Sequence, residues 1–268
     1  MHPPVALTVA GSDSGAGAGL QADLKAFAAL GVFGTSVVTA VTAQNTAAVV
    51  AVEPMAPDLV DLQLEAVLSD LPVAAVKTGM LGSSATVAAV ARWAEVGRLP
   101  NLVVDPVLAS STGRPLLDDA AVGLYLDSLF PYATLVTPNL REARLLTGLE
   151  IHDVDDMVTA AHRLAATGTG AVLVKGGHLG GARSPDVLLA AGTVRVLEAE
   201  RVETGNDHGT GCTLSAAIAA GLAGGASLDE AVDRAKLYVT RSLLGASRWR
   251  LGAGRGPLDH FAWGDGGN

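Results

Sequence analysis

The sequence contains little cysteine, few aromatic residues and few positive charges. Its single cysteine among 268 residues, Cys212, excludes an intramolecular disulfide and disfavours a zinc site built from thiolates. Aromatic residues make up only 4% of the chain and hydrophobic residues 49%, so we expect a core of aliphatic side chains. The formal net charge of −9 would repel a polyanion, and we therefore expect no nucleic-acid partner.

Long hydrophobic runs are also missing. Residues 1–10 carry no basic residue ahead of their apolar run, which Gly11 interrupts before it reaches the length of a signal-peptide core. The most apolar stretch, residues 212–226, is shorter than the roughly 20 residues that a membrane-spanning helix needs. These features favour a cytoplasmic protein in a reducing compartment, with no membrane partner.

Short apolar segments alternate with amphipathic segments along most of the chain. Candidate buried strands lie at 5–10, 36–41, 74–77, 102–104, 134–137 and 171–175. Each is too continuously apolar for a sheet with one exposed face, which indicates a mostly parallel α/β sheet with helices on both sides. Residues 186–198 predict instead a β-hairpin at the edge of that sheet.

No internal repeat, low-complexity tract or linker divides the chain. We therefore predict one domain over residues 1–250, a length that suits a single α/β unit. The segment 251–268 is rich in glycine and has little periodicity, so it is assigned to no element and forms a C-terminal tail.

The first candidate for ligand binding is the glycine-rich segment 11–19, which follows the first predicted strand. Ligands of an open parallel sheet bind beyond the carboxyl ends of its strands, and glycines such as Gly11 let the backbone approach a ligand closely. Asp23 and Gln44 lie close in sequence to this loop or to the end of the next strand, where they could contact a polar ring. A dinucleotide-binding loop and a plain chain reversal are the alternatives for this segment.

The second candidate is the turn Gly209-Thr210-Gly211-Cys212, which opens a helix of small residues. Backbone N–H groups at a helix N-terminus attract anions, and the two glycines let a phosphate approach them. The same position is expected to lower the pKa of Cys212, giving a thiolate that takes a proton from a substrate hydroxyl. The alternative is that Cys212 is a small buried hydrophobic residue.

Polar residues also follow three further predicted strands. Asp105, together with the pair Asn139 and Glu142, could face a metal-bound triphosphate. Lys175 could steer a phosphate. Two alternatives stay open here: Asn139 and Glu142 have the spacing of a helix capping box, and Lys175 has the features of a surface lysine with a buried stem.

Six motifs, taken together and in this order, resemble the hydroxymethylpyrimidine/phosphomethylpyrimidine kinases of thiamin biosynthesis, which belong to the ribokinase-like family. The motifs are AGSDSGAGAGLQADLK at 10–25, KTGML at 77–81, DPV at 105–107, TPN at 137–139, VKGGH at 174–178 and HGTGC at 208–212. The resemblance runs from about residue 5 to residue 244. The order of the motifs is far more specific than any one of them.

The resemblance implies a fold, a reaction and a set of roles. The fold is a ribokinase-like three-layer αβα sandwich with a mostly parallel central sheet and a small edge hairpin. The reaction uses ATP and Mg²⁺ to convert the hydroxymethylpyrimidine to its monophosphate and then to the pyrophosphate. The pyrimidine pocket corresponds to Gly11, Asp23, Gln44, Val107 and Cys212. The nucleotide side corresponds to Asp105, Asn139, Glu142, Lys175 and Thr210, with Asp105 and Glu142 as metal ligands and Gly209 and Gly211 in the anion hole.

Three other functions remain open at this point. A pyridoxal or pyridoxine kinase shares the architecture and differs in its ring pocket, whereas a non-catalytic pyrimidine-binding protein would bind the ring without consuming ATP. A nicotinamide dehydrogenase would need a carboxylate about 20 residues beyond its glycines, and residues 35–42 contain none. The sequence also leaves a homodimer open.

Overall fold

The computed structural model describes residues 2–108 and 119–263, which form one nine-stranded sheet with helices on both faces. The strands are β1 (Val5–Asp13), β2 (Phe33–Gln44), β3 (Val49–Pro54), β4 (Val73–Thr78), β5 (Val103–Val104), β6 (Leu135–Val136), β7 (Ala171–Lys175), β8 (Arg183–Ala190) and β9 (Thr193–Glu200). Their order is β3-β2-β1-β4-β5-β6-β7-β8-β9. The strands from β2 across to β7 are parallel, while β3, β8 and β9 are antiparallel to their neighbours. The predicted mostly parallel sheet and its edge hairpin are confirmed.

Eight α-helices of the described chain cover the two faces of the sheet. They are α1 (Gly19–Ala29), α2 (Pro57–Asp70), α3 (Ser84–Glu95), α4 (Asp119–Leu124), α5 (Leu140–Thr147), α6 (Val154–Ala165), α7 (Thr210–Ala223) and α8 (Leu228–Ala246). Helices α1, α7 and α8 share one hydrophobic core with one face of the sheet, and α2 to α6 share a second core with the other face. This is the predicted αβα sandwich.

Helix α7 packs closely against the sheet and against α8 because its residues are small. Ala216, Ile218 and Ala219 are fully buried, and a Cβ added at Gly221 would lie 2.9 Å from the Cβ of Ala231 in α8. Such close packing is available only to small side chains. It holds the N-terminal end of α7 firmly at the carboxyl ends of the central strands.

The ends of β1 and β2 differ from the sequence-based expectation. Both strands extend past their apolar cores, to Asp13 and Gln44, so the first glycine-rich segment begins inside a strand after a bulge between Ala10 and Ser12. The sequence pattern does not predict β3, because every residue of this strand is exposed or half-buried. The β2–β3 hairpin lies beside the predicted ligand site.

The C-terminal tail is packed against the rest of the chain. Leu258, Asp259 and His260 are buried, and the backbone N–H of His208 donates to the Gly256 carbonyl at 3.0 Å. Residues 264–268 of the tail lie outside the described residues. Nowhere in the described ranges is a helix both long enough and apolar enough to cross a membrane.

Candidate active site

A cavity of about 520 Å³ opens at the carboxyl ends of the parallel strands. Its walls come from the ends of β1 and β2, from the residues that follow β4, β5 and β7, and from the first turns of α5 and α7. Small-molecule sites usually enclose about 300–1,000 Å³, and this is the place where an open parallel sheet binds ligands. The cavity is therefore the candidate active site.

All but one of the site residues predicted from the sequence line this cavity. The lining residues among them are Gly11, Gln44, Asp105, Val107, Asn139, Glu142, Lys175, Gly209, Thr210, Gly211 and Cys212. The fold thus brings together segments that are far apart in the sequence. The exception is Asp23.

Asp23 lies behind the cavity wall, where it is paired with Lys77. Both side chains are fully buried, and the Lys77 Nζ lies 2.8 Å from Asp23 Oδ2. Thr8 Oγ1 donates to the same oxygen at 2.6 Å. Burial raises the pKa of Asp23, and the charge of Lys77 opposes that rise. This corrects the expectation that Asp23 contacts the ring, since its carboxylate is occupied by Lys77 and Thr8.

We expect Lys77→Met to destabilise the protein by roughly 3–5 kcal/mol, because it leaves the Asp23 carboxylate buried and unpaired. The double variant Asp23→Asn/Lys77→Met removes both charges and should recover most of that loss. Urea unfolding of both variants measures the difference. As a control, Arg92→Gln breaks an exposed ion pair with Asp61 and should cost less than about 1 kcal/mol. Equal losses in the single and double variants would contradict the charge-pair explanation.

Asp105 and Lys175 form the charged centre of the cavity. The Lys175 Nζ lies 2.6 Å from Asp105 Oδ1. Asp105 also accepts hydrogen bonds from Thr137 Oγ1 at 3.2 Å and from Ser215 Oγ at 3.3 Å. Burial acts to raise the pKa of Asp105, but the lysine charges hold it below its usual value. Because Lys175 is only 9% exposed and ion-paired, the alternative of a surface lysine is wrong.

Asn139 and Glu142 form a capping box at the start of α5. Asn139 Oδ1 accepts from the Glu142 N–H at 3.0 Å, and Glu142 Oε2 accepts from the Asn139 N–H at 2.8 Å. The capping alternative is therefore confirmed, and both residues still line the cavity. Burial raises the pKa of Glu142 to about 7, against the opposing charge of Lys175. Glu142 thus changes charge close to neutral pH.

The turn from Gly209 to Cys212 depends on glycine for its shape. Gly209 has a φ of 87°, and a Cβ added there would lie 1.9 Å from the Gly17 carbonyl oxygen. At Gly211, a Cβ would lie 3.0 Å from the Lys175 Nζ. The N–H groups in the first turn of α7 lack partners within the helix and carry the positive end of its dipole. Backbone donors and a lysine therefore converge on one place that suits a phosphate.

The thiol of Cys212 lies in the cavity wall, but its acidity differs from the expectation. Burial raises the pKa of Cys212 to about 11, and the positive charge of Lys77 offsets this only in part. The Gly19 N–H donates a hydrogen bond to the sulfur. The prediction of a lowered pKa is wrong because the cost of burying a thiolate exceeds the gain from nearby donors and charges. In the free enzyme Cys212 is a neutral thiol at pH 7.

Asp13 is a cavity residue that the sequence reasoning missed. Its carboxylate accepts from the N–H groups of Gly15, Gly17 and Ala18 at 2.8, 3.1 and 2.9 Å, and so fixes the glycine-rich loop. Burial acts to raise the pKa of Asp13, but hydrogen bonds from His208 and the loop hold it below its usual value. An aspartate two residues before a glycine is a recognised turn signal, and it could have indicated this role.

His208 is the second missed residue, and it links the two glycine-rich segments. Its Nε2 lies 3.1 Å from Asp13 Oδ2 and 3.1 Å from Gln44 Nε2. A Cβ added at Gly17 would lie 2.5 Å from the His208 Cδ2, so the contact requires a glycine in the first loop. A lone histidine before a Gly-Thr-Gly turn carries no sequence signal that it contacts Asp13 and Gln44.

A second cavity of about 420 Å³ shares a wall with the first. The residues that line both cavities are Asn139, Lys175, His178, Asp207, Thr210, Gly211 and Arg255. The remaining walls of the second cavity come mainly from β8, the end of β9 with residues 201–204, helix α8 and Leu214 of α7. The anion-binding turn and Lys175 thus lie at the junction of two ligand-sized spaces.

The sequence from residue 13 to residue 259 matches the phosphomethylpyrimidine kinase family. The chain belongs to this family. A hydroxymethylpyrimidine/phosphomethylpyrimidine kinase of Rhizobium meliloti is 52% identical over 259 residues, covering 96% of this chain and 97% of that relative.

Two solved structures show the same fold. The phosphomethylpyrimidine kinase of Clostridium difficile has a TM-score of 0.79 and 41% identity, covering 89% of this chain and 99% of its own. The pyridoxal kinase of Staphylococcus aureus, in complex with AMP-PCP and pyridoxal, has a TM-score of 0.89 and 35% identity, covering 98% of this chain and 95% of its own. The ribokinase-like fold and the assignment as a phosphotransferase that uses ATP are confirmed.

Kinases commonly bind ATP together with Mg²⁺. In residues 2–108 and 119–263, no group of three or more His, Cys, Asp or Glu side chains could hold a metal on its own. Mg²⁺ in kinases is commonly held by one or two carboxylates together with substrate phosphates. Asp105 and Glu142 line one cavity and supply that donor set, so they fit a cation that binds with ATP.

Proposed function

We propose that this kinase phosphorylates 4-amino-5-hydroxymethyl-2-methylpyrimidine and then phosphorylates the resulting monophosphate to the pyrophosphate, as in thiamin biosynthesis. The observation that carries the proposal is the junction of the two cavities, where Lys175 and the turn Gly209-Thr210-Gly211-Cys212 meet. One cavity takes the pyrimidine and the other takes the nucleotide. The phosphoryl group is transferred where they join.

The acceptor belongs in the first cavity, because three of its lining residues suit a polar ring. Gln44 supplies an amide, Gly11 allows close approach, and Val107 supplies an apolar surface. The adenosine part of ATP belongs in the second cavity, between β8, β9 and α8. Leu214, Val239 and Leu243 give that cavity the apolar side chains that a nucleobase needs.

In each step the acceptor oxygen forms a bond to the γ-phosphorus of ATP, and the bond from that phosphorus to the bridging oxygen of ADP breaks. The electron pair of the broken bond stays on ADP. Lys175 and the N–H groups at the start of α7 stabilise the negative charge that spreads over the transferred group. A bound Mg²⁺, held by Asp105 and Glu142, would neutralise further charge on the phosphates.

The two steps differ in the proton of the acceptor. In the first step the hydroxymethyl group loses a proton. We propose that Cys212 first releases its own proton to solvent and that the resulting thiolate then accepts the proton of the hydroxymethyl group, which restores the neutral thiol. In the second step the acceptor is a phosphate oxygen that is already ionised, so no base is required. Because the pKa of Cys212 is about 11, forming its thiolate at neutral pH in the free enzyme costs more free energy than it would for a thiol with a low pKa.

A pyridoxal kinase is the second candidate, because the Staphylococcus aureus pyridoxal kinase superposes with a TM-score of 0.89. Transfer of phosphate from ATP should be measured with the hydroxymethylpyrimidine, its monophosphate and pyridoxal as parallel acceptors. The proposal predicts turnover of both pyrimidines and a kcat/KM for pyridoxal below both. A higher kcat/KM for pyridoxal would overturn the proposed substrate.

We also propose that the enzyme works in the cytoplasm, where ATP is available. That it forms a homodimer stays a prediction.

A further inference from the structure

Arg255 of the C-terminal tail lines both cavities and has no role in the transfer steps proposed for this kinase. Its Nε donates to Asp207 Oδ1 at 2.7 Å, and its Nη2 donates to Asp207 Oδ2. The two side chains remain 48% and 33% exposed. A planar guanidinium that already holds a carboxylate in this two-point geometry has the shape to hold a phosphate in the same way.

The backbone on either side of Arg255 is attached to the acceptor side of the site. The Gly254 N–H donates to Thr46 Oγ1 at 3.1 Å, in the loop between β2 and β3. The Gly256 carbonyl accepts a hydrogen bond from the backbone N–H of His208, and the ring of His208 contacts Gln44. Arg255 is therefore positioned by the elements that surround the pyrimidine cavity.

Three other cations that line the cavities, Lys175, Lys236 and Arg201, are bound to partners that are harder to exchange. Lys175 is bound to Asp105 with side chains 11% and 2% exposed, and Lys236 is bound to Asp186 with side chains 15% and 7% exposed. Arg201 donates to the carbonyls of Gly177, Leu179, Gly181 and Arg183. The Arg255 pair is more exposed than either lysine pair, and exposed ion pairs add little stability, so its carboxylate can be exchanged at low cost.

The two acceptors of the proposed function differ by a phosphate. The hydroxymethyl group of the alcohol is uncharged, whereas the phosphate group of the monophosphate brings up to two negative charges to the junction of the cavities, next to the γ-phosphate of ATP. A further cation on the acceptor side would offset this repulsion. Arg255 is on that side and can release Asp207.

We propose that Arg255 binds the phosphate group of the monophosphate acceptor and so determines the specificity of the second phosphorylation. The inference rests on the proposed two-step function. When the alcohol is bound, Arg255 stays with Asp207; when the monophosphate is bound, its guanidinium donates to the phosphate oxygens instead. The residue is thus needed for the second acceptor and dispensable for the first.

The test is equilibrium binding by isothermal titration calorimetry, without ATP, of the alcohol and of the monophosphate to wild type and Arg255→Gln. We expect about tenfold weaker binding of the monophosphate to Arg255→Gln, the typical effect of one partly exposed charged hydrogen-bonding group, and unchanged binding of the alcohol. Arg255→Lys should retain part of the affinity. Asp207→Asn removes the competing carboxylate and should tighten monophosphate binding.

Arg195→Gln is the matched control, because it breaks an exposed pair of an arginine with Asp229 and Asp233 outside both cavities. It should bind both acceptors as wild type does. Unchanged monophosphate binding to Arg255→Gln would overturn the proposal. So would equal weakening of both acceptors by Arg255→Gln and Asp207→Asn, which indicates a structural pair. Turnover of both acceptors by wild type tests the proposed function separately.

Discussion

Replacing Cys212 by alanine is expected to slow phosphorylation of the hydroxymethylpyrimidine by about 10²–10⁴-fold, the usual contribution of a general base. The monophosphate should lose much less activity, because its attacking oxygen carries no proton. Steady-state rates with each acceptor, measured on the same preparation, give the ratio of the two losses. A large ratio supports proton transfer at Cys212.

The pH dependence of the rate distinguishes proton transfer at Cys212 from a role of this side chain in packing alone. The thiolate fraction of Cys212 grows as the pH approaches its pKa of about 11, so the wild-type rate with the alcohol should rise through the alkaline range. That rise should be missing with the monophosphate and in Cys212→Ala. The control is Cys212→Ser, which keeps the size of the side chain and an acceptor for the Gly19 N–H. Equal losses with both acceptors would contradict the base assignment and favour a binding role.

Gly209→Ala is expected to reduce both phosphorylations by about 10²–10³-fold or more, the cost of losing donors that stabilise transferred charge. The added Cβ would overlap the Gly17 carbonyl oxygen, 1.9 Å away, and the φ of 87° is unfavourable for alanine. The turn must then move, which separates the α7 N-terminus from Lys175. The kcat for each acceptor, together with circular dichroism of the variant, measures the effect.

Gly205→Ala is the matched control for this change, four residues upstream. A Cβ added there meets no atom within 4 Å, and Gly205 does not have a positive φ. This variant should therefore keep the wild-type rates with both acceptors. Near wild-type activity in Gly209→Ala would show that the precise shape of the turn is unimportant for transfer.

The sequence predicts the sheet and most of the site for a physical reason. Strands buried on both faces must be continuously apolar, and their carboxyl ends must be polar where a ligand binds, as at Asp105 and Lys175. Both signals are local, so they can be read without the fold. The order of the motifs along the chain adds the family resemblance, which the family match confirms.

The sequence cannot predict contacts that depend on distant partners. Asp23 has the spacing of a ligand-binding residue, yet its carboxylate is neutralised by Lys77, which is 54 residues away. The acidity of Cys212 follows from the burial of its thiol group in the folded protein, which no local pattern reveals. The tail residues that reach His208 have no periodicity at all, because they are held by backbone hydrogen bonds and not by a helix or strand.

In the proposed mechanism one pyrimidine cavity serves both phosphorylations. The most direct measurement is mutual inhibition, in which the rate of monophosphate phosphorylation at saturating ATP is followed as the alcohol is added, and the converse. One shared site predicts competitive inhibition, with the inhibition constant of each acceptor equal to the KM that it shows as a substrate on its own. Non-competitive inhibition, or no inhibition, would contradict the claim and require a second acceptor site.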